Sequence, residues 1–437
     1  MIQIVFVLVI SIAALIAASR YLKLHAFFGL LLAALLFGVI MGKPLPEIFT
    51  TMQAGFGSLL QQIGFLVAIG SCLGMVMEKT GAMASLGTKI VNAFGPSRTI
   101  LSMTVIGVLV GIPVFCDSGF IILSRLIPAL VSSSATPAQL SLALSSGLYT
   151  THTLVPPTPG PLAAAANLGV TSHLGLVMLI GLAGSIPVAG VAYLLSRKVG
   201  LRIPTTAHSV VIIDAPQHAG IFIFLPLIIP IILIAMASLP TLVPALQSFK
   251  VLLIVGNPAI ALLIGFIFSM LLIRGKQKQE WPAWIAEALK DAGIILLITG
   301  AGGAFGSVIK SCGLDALPAN ALATSQAGGI AFLSVAFMLA AILKTAQGSS
   351  TSSIIITSSL LAPLTVSAGF TSPMDLATLV LAIGGGAMAV SHANDSYFWV
   401  VSQFGGIGER DAYKSYTVIT LAQGLTAFGT AIIIYVL

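Results

Sequence analysis

The stretch THTLVPPTPGP (151–161) decides the fold, because it breaks an apolar run in its middle. Residues 138–153 lead into it and residues 162–171 continue beyond it. Proline has no backbone N–H and its ring clashes with the preceding turn, so Pro156, Pro157, Pro159 and Pro161 cannot continue a helix. The reading is one membrane crossing with a broken centre. A second stretch, SHANDSYFW (391–399), interrupts residues 374–391 and their continuation to about 407 in the same way. His152 and His392 hold corresponding places at the two breaks.

The composition around these breaks excludes a soluble domain. Of 437 residues, 57% are hydrophobic and only 7% charged, against about 25% charged in a soluble protein. At roughly 20 residues per span, the length suits ten or more crossings of a lipid bilayer. The net charge of +7 is too diluted among apolar segments to mark a nucleic-acid partner. Cys72, Cys116 and Cys312 sit in apolar surroundings and form no disulfide or metal-ligand framework. No cofactor or metal is expected.

Charge placement then orients the chain. Apolar residues 2–18 are followed, not preceded, by basic residues (Arg20 and Lys23), the reverse of a signal peptide. They read as a first transmembrane helix with its N-terminus outside. The next helix, about 25–42, returns to Lys43 and Glu47, and the one after, about 56–77, leads to Lys79, Lys89 and Arg98. Later spans end at Arg197, Lys198 and Arg202, and at Arg274, Lys276 and Lys278. All basic clusters fall on one side, the cytoplasmic one, and the C-terminus falls outside.

That parity fails if residues 99–113 and 119–132 both cross. Each limb is about 22 Å at the helical rise, short of a ~30 Å hydrocarbon core. A re-entrant hairpin around the polar tip Cys116-Asp117-Ser118-Gly119 satisfies both length and parity. Such backbone survives at membrane depth only against protein or a water-filled cavity.

The same plan recurs. Residues 64–86 resemble residues 296–318 at an offset of 232, which places Gly70, Gly74, Val76 and Gly81 on Gly302, Gly306, Val308 and Gly313. Two more short limbs, about 328–343 and 353–366, flank the tip KTAQGSSTSS (344–353), ahead of the second break. The two copies start on opposite sides of the membrane. The fold read is therefore an all-α polytopic membrane protein, an inverted-topology repeat of six plus six elements with two re-entrant hairpins and two broken helices. Residues 1–97 and 219–325 would form the helices ahead of each hairpin, and 98–196 and 326–437 the hairpin-and-break parts. A polar linker, 197–218, would join them, and residues 275–290 would form an interfacial amphipathic arm. Inverted repeats with discontinuous helices place binding at the bilayer midplane, the arrangement of a transporter.

Chemistry is expected at those interruptions. Asp117 and Asp395 are acidic side chains at the interruptions of the expected membrane elements. A carboxylate there is costly unless protonated, paired or hydrated, and such residues are by default functional; both are candidates for proton coupling. Capping a half-helix is the structural alternative for each. His152 and His392 titrate near neutrality, although a lone buried histidine often serves only as a donor. Gly348, Ser349, Ser350 and Thr351 offer amides and hydroxyls at a helix N-terminus, where the dipole favours a carboxylate. Ser118, Gly119, Thr151 and Thr158 extend this lining, and Asn394 adds a donor and acceptors. Arg125 could pair with Asp117 or a substrate carboxylate, or snorkel to the surface.

These motifs together resemble the gluconate permease family of the ion transporter superfamily. The carrying residues are GIPVFCDSGF (111–120), PPTPGP (156–161), GSST (348–351) and SHAND (391–395) followed by Trp399, in matching order along nearly the whole chain. Cys116 stands where that family has an aromatic residue, and Arg125 where an apolar one is expected. The resemblance implies proton-coupled symport of gluconate, another sugar acid or D-serine into the cytoplasm across the inner (plasma) membrane. It further implies a homodimer and an elevator-type movement of a transport domain against a scaffold. A sodium-coupled carrier of the same fold is the alternative. An intramembrane enzyme lacks a nucleophile elbow or a His-Glu-x-x-His stretch, and no nucleotide-binding loop supports a primary pump.

Overall fold

The computed structural model describes residues 7, 10–11, 13–14, 17, 21–131, 135–204, 221–242, 250–312, 326–393 and 395–437. Among them every regular element is helical. The first expected helix, 2–18, lies mostly outside the described residues, as do most of the linker 197–218 and Asn394. The first half contains α1 (Ala26–Ile40), α2 (Leu45–Lys79), α3 (Ala82–Phe94), α4 (Thr99–Val110) and α5 (Cys116–Leu123). It continues through α6 (Pro137–Leu154), α7 (Pro159–Asn167) and α8 (Leu174–Val199). After α9 (Leu225–Leu242) and α10 (Pro258–Met270) come α11 (Gln277–Ser311), α12 (Gln326–Gln347) and α13 (Ser350–Leu361). The chain closes with α14 (Pro373–Met388), α15 (Ser396–Phe404) and α16 (Tyr416–Val436). Among the described residues, five helices are long and apolar enough to cross a membrane: Leu45–Lys79, Thr171–Arg202, Gln277–Ser311, Gly328–Gln347 and Glu409–Val436.

The order of elements recurs. The offset of 232 that aligns the glycines carries Leu45 onto Gln277 and Lys79 onto Ser311, the ends of two 35-residue helices. Each broken helix opens with proline at its first turn and a capping box, Thr136 with Gln139 and Ser372 with Asp375. In such a box the side chains and backbone N–H groups satisfy each other reciprocally. After each break comes a nine-residue helix, α7 or α15. Packing follows the same rule, since α4 lies on α6 as α12 lies on α14, and α6 on α8 as α14 on α16. The short helices pair crosswise, α13 with α7 and α5 with α15. That crossing brings the hairpin of one half to the break of the other.

Several expected boundaries move. The helix read as 56–77 begins at Leu45, and the arm 275–290 is the first part of α11 rather than a separate element. Tertiary contacts keep it helical despite Pro282. Trp284 packs with Val76 and Ile273, and Glu287 pairs with Lys79 at 2.9 Å. The second hairpin tip is only Gly348 and Ser349, because Lys344 to Gln347 remain helical and the chain turns at Gly348 (φ 73°). At about 33 Å, α12 reaches across a hydrocarbon core, whereas α13 at about 18 Å does not. In the first hairpin the turn is 111–115, so Asp117 lies in the first turn of α5 instead of a loop.

α2 and α11 form the most extensive helix pair, with α1 and α10 packed on them. Their backbones meet at Gly55 and Gly303; a Cβ on Gly303 would stand 2.6 Å from the Gly55 carbonyl oxygen. Backbone cannot retreat from such a contact without moving a whole helix. Gly303→Leu should therefore destabilise the purified protein by about 1–3 kcal/mol. Gly293→Ala, in the same helix but with open space around it, should stabilise by up to about 1 kcal/mol. Thermal unfolding in detergent checks both, and equal effects would contradict the close crossing.

Candidate substrate-binding site

The centre of the site is a buried ion pair. Lys344, in the last turn of α12, places Nζ 2.5 Å from Oδ2 of Asp395, with only 1% and 6% of the two side chains exposed. The Ser391 hydroxyl donates to the same Asp395 oxygen at 2.5 Å, and the Tyr397 N–H donates to Oδ1 at 3.1 Å. Asp395 thus caps α15 and neutralises a lysine on another helix at once. Lys344 also lies 5.6 Å from the centre of the Tyr149 ring, within cation–π range. Losing one partner of such a pair leaves a buried charge uncompensated, at about 3–5 kcal/mol.

The second break is stitched to its surroundings. Ser391 N–H donates to Thr420 and its carbonyl accepts from Thr417, both on α16. Trp399 Nε1 donates to the Ala393 carbonyl at 2.8 Å. Val390 takes φ 55°, a left-handed conformation that a β-branched residue rarely adopts and that costs about 1–3 kcal/mol. Beneath lie three buried tyrosines, Tyr149, Tyr397 and Tyr416, with ring centroids 5.4 to 6.5 Å apart. The Tyr397 hydroxyl donates to the Ser145 carbonyl at 3.0 Å, tying α15 to α6.

Asp117 joins this centre from the other half. Ser396, next in sequence to Asp395, donates to Asp117 Oδ1 at 3.5 Å, and the Cys116 thiol lies 3.7 Å from Oδ2. The packing of α5 on α15 thereby gathers both carboxyls. Arg125 is exposed just beyond α5, and among the described residues it forms no ion pair. The cation beside the carboxyls is Lys344 instead.

His152 is buried near the end of α6 with no partner for Nδ1, its ring 6.2 Å from that of Phe115. It borders a narrow cleft with Val67, Gly70, Ser71 and Thr158. Gln347, one turn beyond Lys344, has both amide atoms buried and, among the described residues, unpartnered. Toward the α2 and α11 side, a polar cavity of about 560 Å³ is lined by Ser58, Gln62, Asn167, Ser307, Lys310 and Ser359 among others.

The expected hydroxyl lining divides into used and free groups. Thr151 donates to the Val108 carbonyl at 2.8 Å and Thr158 to the Val155 carbonyl at 2.5 Å. Ser349 accepts from the Ser352 N–H and caps α13. Ser350 meets the Tyr149 hydroxyl, and Ser118 meets Glu78. Gly119 packs against Leu148. Thr351 faces the first break, its Cα 3.7 Å from where a Cβ of Gly160 would sit. His392 is partly buried at the second break. Among the described residues no His, Cys, Asp and Glu cluster could hold a metal ion.

Lys344 is the residue that reading the sequence for carboxylates and hydroxyls passes over. The available signal was a lone cation between two apolar limbs, which by itself marks a functional position in a membrane segment.

Interrupted helices that meet at a buried polar centre, within a bundle of membrane-spanning helices, define a multi-pass membrane transporter. The fold is shared with the YdaH transporter of Alcanivorax borkumensis (TM-score 0.64, 16% identity, 90% of this chain and 88% of that one). It is also shared with MtrF of Neisseria gonorrhoeae (TM-score 0.59, 16% identity, 90% and 83% covered). Residues 2–437 match the family described as GntP family permease, and the chain belongs to that family. Its relatives include the inner membrane permease YgbN of Escherichia coli K12, 32% identical over 93% of this chain and 92% of that one. The gluconate permease of Pseudomonas aeruginosa is 28% identical over 94% and 92% of the two chains. The relatives are permeases and transporters, not enzymes.

Unpartnered buried amides are costly in the empty protein. Gln347→Leu should therefore stabilise the ligand-free protein by about 1–3 kcal/mol. A lower melting temperature for that variant would show that Gln347 has a partner in the empty state.

Proposed function

We propose that the protein is a proton-coupled symporter that brings a small hydroxylated carboxylate, gluconate or a related sugar acid, into the cytoplasm across the inner membrane. The observation that carries this reading is the gathering of one lysine and two carboxyls, from both halves of the chain, at the point where hairpins meet broken helices. Relatives named gluconate permease and low-affinity gluconate transporter support the substrate class. A hydroxy acid or D-serine fits the same polar lining. Thr351, His152 and Gln347 supply hydroxyl, imidazole and amide groups for a polyhydroxylated chain.

In this reading the two halves are inverted repeats, with residues 98–196 and 326–437 as the moving transport part and the α2–α11 pair within the scaffold. The glycine-mediated crossing of α2 and α11 supports a rigid scaffold, against which the transport part shifts as an elevator in a homodimer with both termini outside. The cavity beside Gln62, Asn167 and Lys310 then serves as the outer vestibule. Asp117, which among the described residues forms no ion pair, is the first candidate for the travelling proton, and Asp395 the second. The hairpin hydroxyls would equally suit a sodium ion, which makes sodium coupling the alternative to test.

Proteoliposomes with an alkaline lumen, in sodium-free buffer, should accumulate radiolabelled gluconate. Asp117→Asn should keep gluconate counterflow but lose accumulation driven by the pH gradient. Accumulation that requires a sodium gradient would overturn proton coupling. Wild-type accumulation by Asp117→Asn would move the proton to another group.

A further inference from the structure

The Lys344–Asp395 pair is fully enclosed, joins two separate elements, and sits one helical turn from an amide that has no partner. Stability does not account for it, because well-packed apolar residues usually serve as well as a buried ion pair. The two ends of the pair differ in their surroundings. Asp395 has two donors, the Ser391 hydroxyl and the Tyr397 N–H, besides its ion pair with Lys344. The Lys344 ammonium has one anionic partner and the face of Tyr149. Releasing Asp395 from Lys344 therefore leaves the carboxyl with two donors, whereas the ammonium needs a replacement anion.

Building on the carboxylate-symport reading, we propose that Lys344 is the receptor for the substrate carboxylate. The incoming anion takes the place of Asp395 on the ammonium, while Gln347 and the N-terminus of α13 lie beside it. Asp395 is then left near Asp117, which accepts from Ser396, the residue that follows Asp395. Two carboxylates sharing a desolvated site do not both stay ionised, so the pair takes up one proton from water on a carboxyl oxygen. No covalent bond is broken other than that of the donor water or hydronium. One anion enters with one proton, and the charge of the site is unchanged.

Other groups facing Asp395 do not compete for this role. They are Cys116 on α5, Tyr149 and His152 on α6, Tyr397 on α15 and Tyr416 on α16. None of the thiol and phenol groups is a cation, and His152 contributes a single unpartnered ring nitrogen. His392 lies in the same loop as Asp395.

The test compares two variants that both lack the ion pair and differ only in the charge at position 344. Purified Asp395→Asn keeps the ammonium; Lys344→Gln with Asp395→Asn removes it without leaving an orphan charge. Gluconate affinity is read by calorimetry and by thermal stabilisation, with the uncharged polyol glucitol as control. Asp395→Asn should bind gluconate at least about 100-fold more tightly than the double variant, and neither should distinguish itself on glucitol. Equal gluconate affinities in the two variants, with wild type still binding gluconate, would overturn the assignment of Lys344 alone. Absence of binding by wild type to gluconate, threonate, glycerate, lactate and D-serine alike would overturn the symport reading and this inference together.

Discussion

An ammonium and a carboxylate leave water together or at great cost, and this constraint governs the centre of the molecule. Lys344 comes from the end of a hairpin limb and Asp395 from the start of a half-helix, so enclosing their charges requires the two elements to meet. Once they meet, the rest of the second break is determined locally. Ser391, Tyr397 and the α16 threonines take up the polar groups that the missing helical turn leaves open. The strained backbone at Val390 is held in place by these contacts. A low-dielectric setting strengthens each of them and makes any unpaired member expensive.

Around this centre, crosswise packing gives a single site from two similar halves. The polar tie of Asn167 to Ser358 and the Ile355 carbonyl holds α7 to α13. The weaker Ser396–Asp117 contact links α15 to α5. Each hairpin thus meets the break of the opposite half, and side chains from both halves converge without being equivalent by sequence. α2 and α11 stand behind them as one glycine-crossed pair.

Much of this architecture was legible in the sequence, because membrane solvent restricts the backbone severely. The proline-rich break, the short limbs of the first hairpin and the offset of 232 follow from length, charge and glycine placement, whereas α12 is longer than its limb reads. What was not legible depends on long-range contacts. The arm 275–290 reads as amphipathic alone but is helical with α11 because Trp284 and Glu287 find partners on α2 and its neighbours. The hydroxyls of the second tip and the first break read as an open binding surface, yet serine and threonine in helices often bond backbone carbonyls, and Thr151, Thr158 and Ser349 do so or cap a helix. Arg125 reads equally as a partner for Asp117 or as a snorkelling side chain; it lies exposed, and the cation paired with a carboxyl is Lys344 at the end of α12.

The central claim is that substrate anion and proton enter this charge cluster together. The most direct measurement is the number of protons taken up per gluconate bound, obtained by calorimetry near neutral pH in buffers of different ionisation enthalpy. Uptake should be close to one proton per gluconate, as linkage requires when a carboxyl is protonated only in the bound state. A binding enthalpy independent of the buffer, with gluconate bound and no proton taken up, would contradict it.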